Sequence, residues 1–246
     1  MRLVTSWHDY PAAIVGVTER RLLNWFTREV APGDTWLDVG AHYGYTAMAL
    51  ANLVTRRGRV FAFEPIVTTA GCMAQTRTLN HLKQMTVVPM ALADMKGIEL
   101  RRLATVRGMA DLCWEHEHGE QRATGHDTII ATGLDWIWPS LCGGNSRIDG
   151  IKIDVQGMEI QALTGMARIV AEHRPKLVVE LHRGVDRGEF LSLLQTLGYS
   201  RQAVPIESAP DETVAKYMDD RSYAFVLASA ADKGSLRSSH CISSSP

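Results

Sequence analysis

The sequence predicts one doubly wound α/β domain built on a mostly parallel sheet. Three observations carry this reading. Short apolar runs closed by Gly or Glu-Pro alternate with helical stretches from Thr35 to Leu92. The alternation resumes at Gly150 after an irregular middle. The 246 residues are 46% apolar and 22% charged, enough to bury one large core.

The elements follow in order. Thr18 reads as the N-cap of a first helix, in which Leu22, Leu23, Phe26 and Val30 recur at helical spacing until Pro32-Gly33. Thr35–Val39 is a buried strand closed by Gly40, and Tyr45–Val54 a helix. Arg59–Phe63 is a second strand ended by Glu64-Pro65, Thr68–Leu82 a helix, and Thr86–Leu92 a third strand. In the middle, Ile98–Leu103 reads as half of an added hairpin, Thr128–Ala131 as a strand and Leu134–Leu141 as a Trp-rich helix. Gly150–Val155 is a fourth strand, Met158–Glu172 a helix, Lys176–Leu181 a fifth strand and Glu189–Leu197 a helix. Tyr199–Val204 and Tyr223–Ala228 close the pattern. The expected organisation is an N-terminal helical or lid segment over 1–34, a catalytic domain over 35–231 and a disordered serine-rich tail over 232–246. Trp7, His8 and Tyr10 in the first segment are candidates to close over an acceptor.

Composition narrows the function. Twenty-six Lys and Arg against 27 Asp and Glu leave a net charge of −1, with no basic run to hold a nucleic acid or an anionic membrane. No window has the ~18 apolar residues of a membrane span, and His8-Asp9 interrupts any signal-peptide core. Cys72, Cys113, Cys142 and Cys241 form no C-x-x-C pair, which fits a reduced, cytoplasmic protein.

The loop after the first strand, Asp38-Val39-Gly40-Ala41-His42-Tyr43-Gly44, selects among cofactors. Gly40 and Gly44 permit a sharp turn at a helix start. His42 stands where a dinucleotide fingerprint needs its middle glycine, and no Gly-Lys-Ser/Thr follows. Asp38 would repel a pyrophosphate, yet it suits a ligand carrying an ammonium and a hydroxylated sugar. The helix start suits a single carboxylate. S-adenosylmethionine has all three groups. Glu64, closing the second strand, is placed to accept hydrogen bonds from both ribose hydroxyls. Each acid also has a plainer reading, Asp38 as a turn carboxylate and Glu64 as a surface acid before proline.

Asp38-Val39-Gly40-Ala41, Phe63-Glu64-Pro65, Ala91-Leu92-Ala93-Asp94-Met95-Lys96-Gly97 and Ile151-Lys152-Ile153-Asp154-Val155-Gln156-Gly157-Met158-Glu159 stand in an order and spacing that resemble the FkbM family. The resemblance covers residues 36–199. It implies an S-adenosylmethionine-dependent methyltransferase of the class I, Rossmann-like, seven-stranded kind, with strand order 3-2-1-4-5-7-6 and strand 7 antiparallel. It implies cofactor contacts at Asp38, Gly40, Ala41, His42, Gly44, Glu64 and Asp154, with Leu92 and Asp94 bracketing the adenine. This chain has His42, Gln156 and Met158 where the family usually has Asn, Glu and His. Gln156 cannot take a proton.

An alkyl hydroxyl acceptor must lose its proton as the new bond forms. Asp154, which the resemblance places at the methyl end of the cofactor, is the leading candidate, with capping of the next helix as its alternative. Glu159, in that helix's first turn, reads as a cap and a weak base. Glu180 and His182 alternate along the fifth strand and so share a face, either as an oriented acid–imidazole pair or as a structural pair. His116-Glu117-His118 and His126-Asp127 lack an assured third ligand, so no metal is assigned. The expected activity is O-methylation of a hydroxyl on a glycan or secondary metabolite. A nicotinamide-dependent oxidoreductase and a non-catalytic binding domain on the same fold are the alternatives.

Overall fold

Thr35–Val39, buried along its whole length, forms the central strand β1. The parallel strands β2 (Arg59–Phe63) and β8 (Gly150–Ile153) flank it. A strand buried on both faces belongs in the middle of a parallel sheet covered by helices on each side. The computed structural model describes residues 2–5, 19–106, 109–110, 125–143, 147–206 and 221–228. With β3 (Met85–Val88), β9 (Lys176–Leu181), β10 (Tyr199–Pro205) and β11 (Arg221–Leu227), the seven strands lie in the order β10-β11-β9-β8-β1-β2-β3. β11 is antiparallel to both neighbours. This is the expected seven-stranded order with its antiparallel seventh strand.

Side-chain alternation along β1 divides the interior into two layers. Leu37 and Val39 point into one core with Phe61, Phe63, Ile151 and Ile153. Trp36 points into the other, among residues of α1 (Arg20–Glu29) and α2 (Tyr45–Leu53). Trp25 and Phe26 meet the Trp36 ring edge-on at 6.2 and 5.6 Å. Gly150 makes room for that ring, since a Cβ there would stand 2.3 Å from it. Among the described residues the remaining α-helices are α3 (Val67–Leu79), α4 (Leu134–Cys142), α5 (Glu159–Thr164), α6 (Ala167–His173) and α7 (Arg187–Thr196).

The structure revises four of the expected elements. The strand expected over Thr86–Leu92 is two, because Pro89 has no N–H to donate to the ladder. After β3 the chain starts β4 (Ala91–Leu92), which joins β5 (Ile98–Val106), β6 (Met109–Ala110) and β7 (Gly125–Thr132) in a second sheet ordered β4-β7-β5-β6. The expected hairpin is thus a longer sheet. The helix expected over Met158–Glu172 is broken at Gly165-Met166. A Cβ on Gly165 would lie 2.0 Å from the Ala93 carbonyl oxygen, and the Asp135 side chain accepts the Arg168 and Ile169 N–H groups at 2.9 Å to start α6. Finally, α1 begins after Glu19, whose φ is 52°, with no side-chain cap. Thr18, the expected cap, lies outside the described residues, as do Trp7, His8, Tyr10, His116-Glu117-His118, Cys113, Cys241 and the 232–246 tail.

Candidate active site

The carboxyl ends of β1, β2, β8 and β9 open onto a cavity of ≈ 300 Å³, lined by Ala41, His42, Glu64, Leu92, Asp154 and Glu180 among others. Gly40 turns the chain there with φ +78°. Its missing side chain leaves no space for a ligand, since a Cβ would meet the Asp154 carbonyl oxygen at 1.7 Å. The glycine lets the ends of β1 and β8 pass one another.

Glu64 is buried at the end of β2. One carboxylate oxygen accepts the His42 N–H and the other the Ile66 N–H, each at 2.9 Å. Both oxygens keep a lone pair for a diol. Burial pushes the Glu64 pKa up to about 7, against the lowering effect of those two N–H groups.

Asp38 is fully buried and turned away from the cavity wall. Its Oδ2 accepts the Thr46 hydroxyl at 2.5 Å, and its Oδ1 faces the Lys152 ammonium at 3.2 Å. The ammonium expected to come from a ligand is supplied by the chain itself. Lys152 also meets Asp154 Oδ2 at 3.2 Å and the Gly40 carbonyl at 3.3 Å. Burial alone would lower its pKa, but Asp38 and then Asp154 hold it well above the usual lysine value.

The second half of the site lies beyond Asp154. His182 is buried just past the end of β9, with Nδ1 2.7 Å from Oε1 of Glu159, a carboxylate with no exposure. Its Nε2 stands 3.6 Å from Asp154 Oδ1 and 3.8 Å from Glu180 Oε1. The Gln156 amide nitrogen lies 2.9 Å from that Nε2 and 3.3 Å from Asp154 Oδ1. An amide donor placed between them requires a bare Nε2, hence the Nδ1–H tautomer. The surrounding groups pull the other way. Burial disfavours the charged ring, yet Glu159 and then Asp154 push its pKa up to about 9. With Nε2 protonated the Gln156 amide group cannot donate to both His182 and Asp154. Asp154 is held below the usual carboxylate range, since the Lys152 ammonium overcomes its desolvation. Glu180 is raised to about 7 by the Asp154 charge and then by burial.

Residues 38–201 match the family described as the methyltransferase FkbM domain. The chain belongs to the FkbM methyltransferase family. Among solved structures it is similar to methyltransferase FkbM from Methylobacillus flagellatus, with 20% identity and a TM-score of 0.53. That match covers 79% of this chain and 44% of the other, so the chain spans less than half of that protein's length. It is also similar to a SAM-dependent O-methyltransferase from Thermotoga maritima, with 15% identity, a TM-score of 0.48 and coverage of 91% and 71%. A third likeness is to a SAM-dependent methyltransferase from Aquifex aeolicus, with 13% identity, a TM-score of 0.46 and coverage of 89% and 95%. The comparison with curated proteins gives no match. The cofactor of this FkbM methyltransferase is S-adenosylmethionine, and the forked Glu64 carboxylate beside the β1 turn fits its ribose. Family membership sets the nicotinamide reading aside.

In this FkbM chain the expected site residues divide into three groups. Gly40, Ala41, His42, Glu64, Leu92, Asp154 and Glu180 line one cavity. Asp38 and His182 stand directly behind its wall, and Gly44 packs against Met73 rather than facing the cavity. Asp94 is exposed and off the wall. The chain turns away from the cavity after Leu92, where the Ala93 N–H bonds the Thr132 carbonyl at the edge of the second sheet. Glu159, read as a helix cap, does accept the Gly157 N–H at 3.1 Å, but its shorter contact is to His182. His126 is exposed on β7, and among the described residues neither it nor Asp127 joins a metal-ligating group. The residue the sequence reading missed is Lys152. Its signal was a lysine inside the apolar run Gly150–Ile153, two residues before Asp154 and hence on the same face.

Proposed function

We propose that this methyltransferase transfers the methyl group of S-adenosylmethionine to a hydroxyl of a small-molecule or glycan acceptor. The observation that carries this reading is the acceptor-side wall, where Asp154, Glu180 and His182 gather beside the cavity that Glu64 and the β1 turn shape for the cofactor. Glu64 takes the ribose hydroxyls on its two forked oxygens. Ala91 and Leu92 offer an apolar edge to the adenine. When bound, S-adenosylmethionine would supply an electrophilic methyl carbon, with its positive sulfur as the leaving group. The chain's own task is positioning and proton removal. The carboxylate oxygens of Asp154 and Glu180 accept the hydroxyl hydrogen bond and receive the proton. Lys152 fixes Asp154, and Glu159 fixes His182.

The net charge of −1 with no basic run supports an acceptor other than nucleic acid, and the lack of any C-x-x-C pair in the sequence supports a cytoplasmic reaction. Among the described residues no helix is long and apolar enough to cross a membrane. The test is single-turnover transfer from isotopically labelled cofactor to a panel of hydroxylated glycans and small molecules. S-adenosylhomocysteine and an O-methylated product are expected. Cofactor binding without S-adenosylhomocysteine from any acceptor would leave the non-catalytic reading. A methyl group on nitrogen or sulfur in the product would refute the hydroxyl assignment.

A further inference from the structure

The three acceptor-side residues are held in an unusual way. Each has two atoms able to bind a partner, and in each one atom is already anchored by the protein. Asp154 gives Oδ2 to Lys152 at 3.2 Å. Glu180 gives Oε2 to the Ser222 hydroxyl at 3.1 Å. His182 gives Nδ1 to Glu159 at 2.7 Å. The remaining three atoms, Asp154 Oδ1, Glu180 Oε1 and His182 Nε2, face one another, and the group's ligand atoms lie within 4.8 Å of one another. Nε2 is 3.6 Å from the first oxygen and 3.8 Å from the second.

We propose that Asp154, Glu180 and His182 form a binding site for one divalent first-row metal cation. Donor atoms bonded to such an ion at about 2.0–2.2 Å stand roughly 3–3.5 Å apart when they share a face of its coordination sphere. The two separations from Nε2, 3.6 and 3.8 Å, are a few tenths of an ångström wider, within the reach of small side-chain rotations. A buried carboxylate on Nδ1 is the outer-shell partner that orients a metal-binding imidazole and raises its basicity. Lys152 and Ser222 do the same for the carboxylates, so the outer shell is complete before any ion arrives. The Gln156 amide, which offers a hydrogen to both Nε2 and Asp154 Oδ1, marks the point where acceptor lone pairs converge. Turned over, that amide presents an oxygen.

Two carboxylates with one imidazole favour manganese, iron or zinc over calcium, which takes six to eight oxygens, and over magnesium, which keeps to oxygen and water. Asp154 and Glu180 line the cavity, so the open coordination positions face the acceptor. The ion's part in catalysis, polarising the acceptor hydroxyl, rests on the proposed O-methylation. Its binding does not.

The experiment is a titration of the metal-stripped full chain with Mn²⁺, followed by electron paramagnetic resonance. One Mn²⁺ per chain is expected, with coupling to a single imidazole nitrogen. Glu180→Gln and His182→Ala should abolish binding, and Glu159→Gln should weaken it about 10–100-fold. The imidazole coupling is read on the unaltered chain and holds even where a variant fails to fold. Absence of Mn²⁺ and Zn²⁺ binding at millimolar concentration, absence of nitrogen coupling, or unchanged binding in folded Glu180→Gln and His182→Ala would each overturn the site. Bound Mn²⁺ in a chain that methylates no hydroxyl would support the site while refuting the reaction.

Discussion

Glu64 offers the sharpest test of the cofactor half, because one carboxylate carries both an affinity and a pH dependence. Glu64→Gln keeps the shape and removes the charge. Hydrogen bonds to a charged group contribute about 1.5–3 kcal/mol, so losing the ribose contact should weaken S-adenosylmethionine roughly 10- to 150-fold. The sign of the pH effect follows from burial. The carboxyl pKa rises from 4.5 to about 7 in the folded chain. Between those values the folded state holds a proton that the unfolded state has released. The stability contribution of Glu64 is therefore fully present below pH 4.5 and is lost as pH rises to 7, about 3 kcal/mol at most. Cofactor affinity runs the opposite way, since the ionised form accepts the diol. It should fall as pH drops below 7, and be roughly 30-fold weaker at pH 5.5 than at pH 8.5. Calorimetric titrations across this range, on the wild-type chain and on Glu64→Gln, measure both effects. The variant also accounts for any titration of the ligand itself. Wild-type affinity that is flat with pH, or a variant that binds as tightly as wild type, would refute the ribose assignment.

Three further outcomes are expected. Lys152→Met leaves Asp38 and Asp154 without their shared cation and should cost about 3–5 kcal/mol in urea unfolding; a loss under 1 kcal/mol would mean that water or a proton replaces the ammonium readily. Asp154→Asn should lower single-turnover methyl transfer 10²–10⁴-fold with a smaller change in cofactor affinity, and His182→Ala should cost less. Normal transfer by Asp154→Asn with inactive His182→Ala would move the proton acceptor to the β9 side. A chain ending at Ala231, four residues past the end of β11, should fold and bind S-adenosylmethionine like the full chain, as circular dichroism and titration would show.

The central strands of the seven-stranded sheet were legible as short, mostly apolar runs separated by helical stretches. The second sheet was not. Its shortest strands, Ala91–Leu92 and Met109–Ala110, carry two residues each, too few for any periodicity. Pro89 was the available signal that β3 had ended. Gly165 likewise marked a helix break, but its cause, the Ala93 carbonyl, lies far away in sequence. In the site, Glu64 was readable from its place at a strand end beside a glycine turn. The pairings Asp38–Lys152 and Glu159–His182 were not, because they join residues on different elements. Sequence names such groups without saying which of them meet.

Lys152 shows why those pairings matter for the chemistry. An ammonium has three hydrogens, and here they face Asp38, Asp154 and the Gly40 carbonyl. Lys152 therefore acts chiefly through the groups it holds. One of these, Gly40, belongs to the turn that shapes the cofactor pocket. Another, Asp154, belongs to the acceptor wall. A shift of either half relative to the other would strain a buried ion pair whose loss costs several kcal/mol. In the proposed reaction this pair would set the distance between cofactor and acceptor before either binds, and an in-line displacement depends on that distance. Lys152 also balances only part of the local charge. Asp38, Asp154, Glu159 and Glu180 surround one lysine and one histidine, so the wall stays electronegative and favours a ligand that brings positive charge to it. In the proposed reaction the sulfonium of S-adenosylmethionine would do so, and the proposed metal ion between Asp154, Glu180 and His182 would add to that balance.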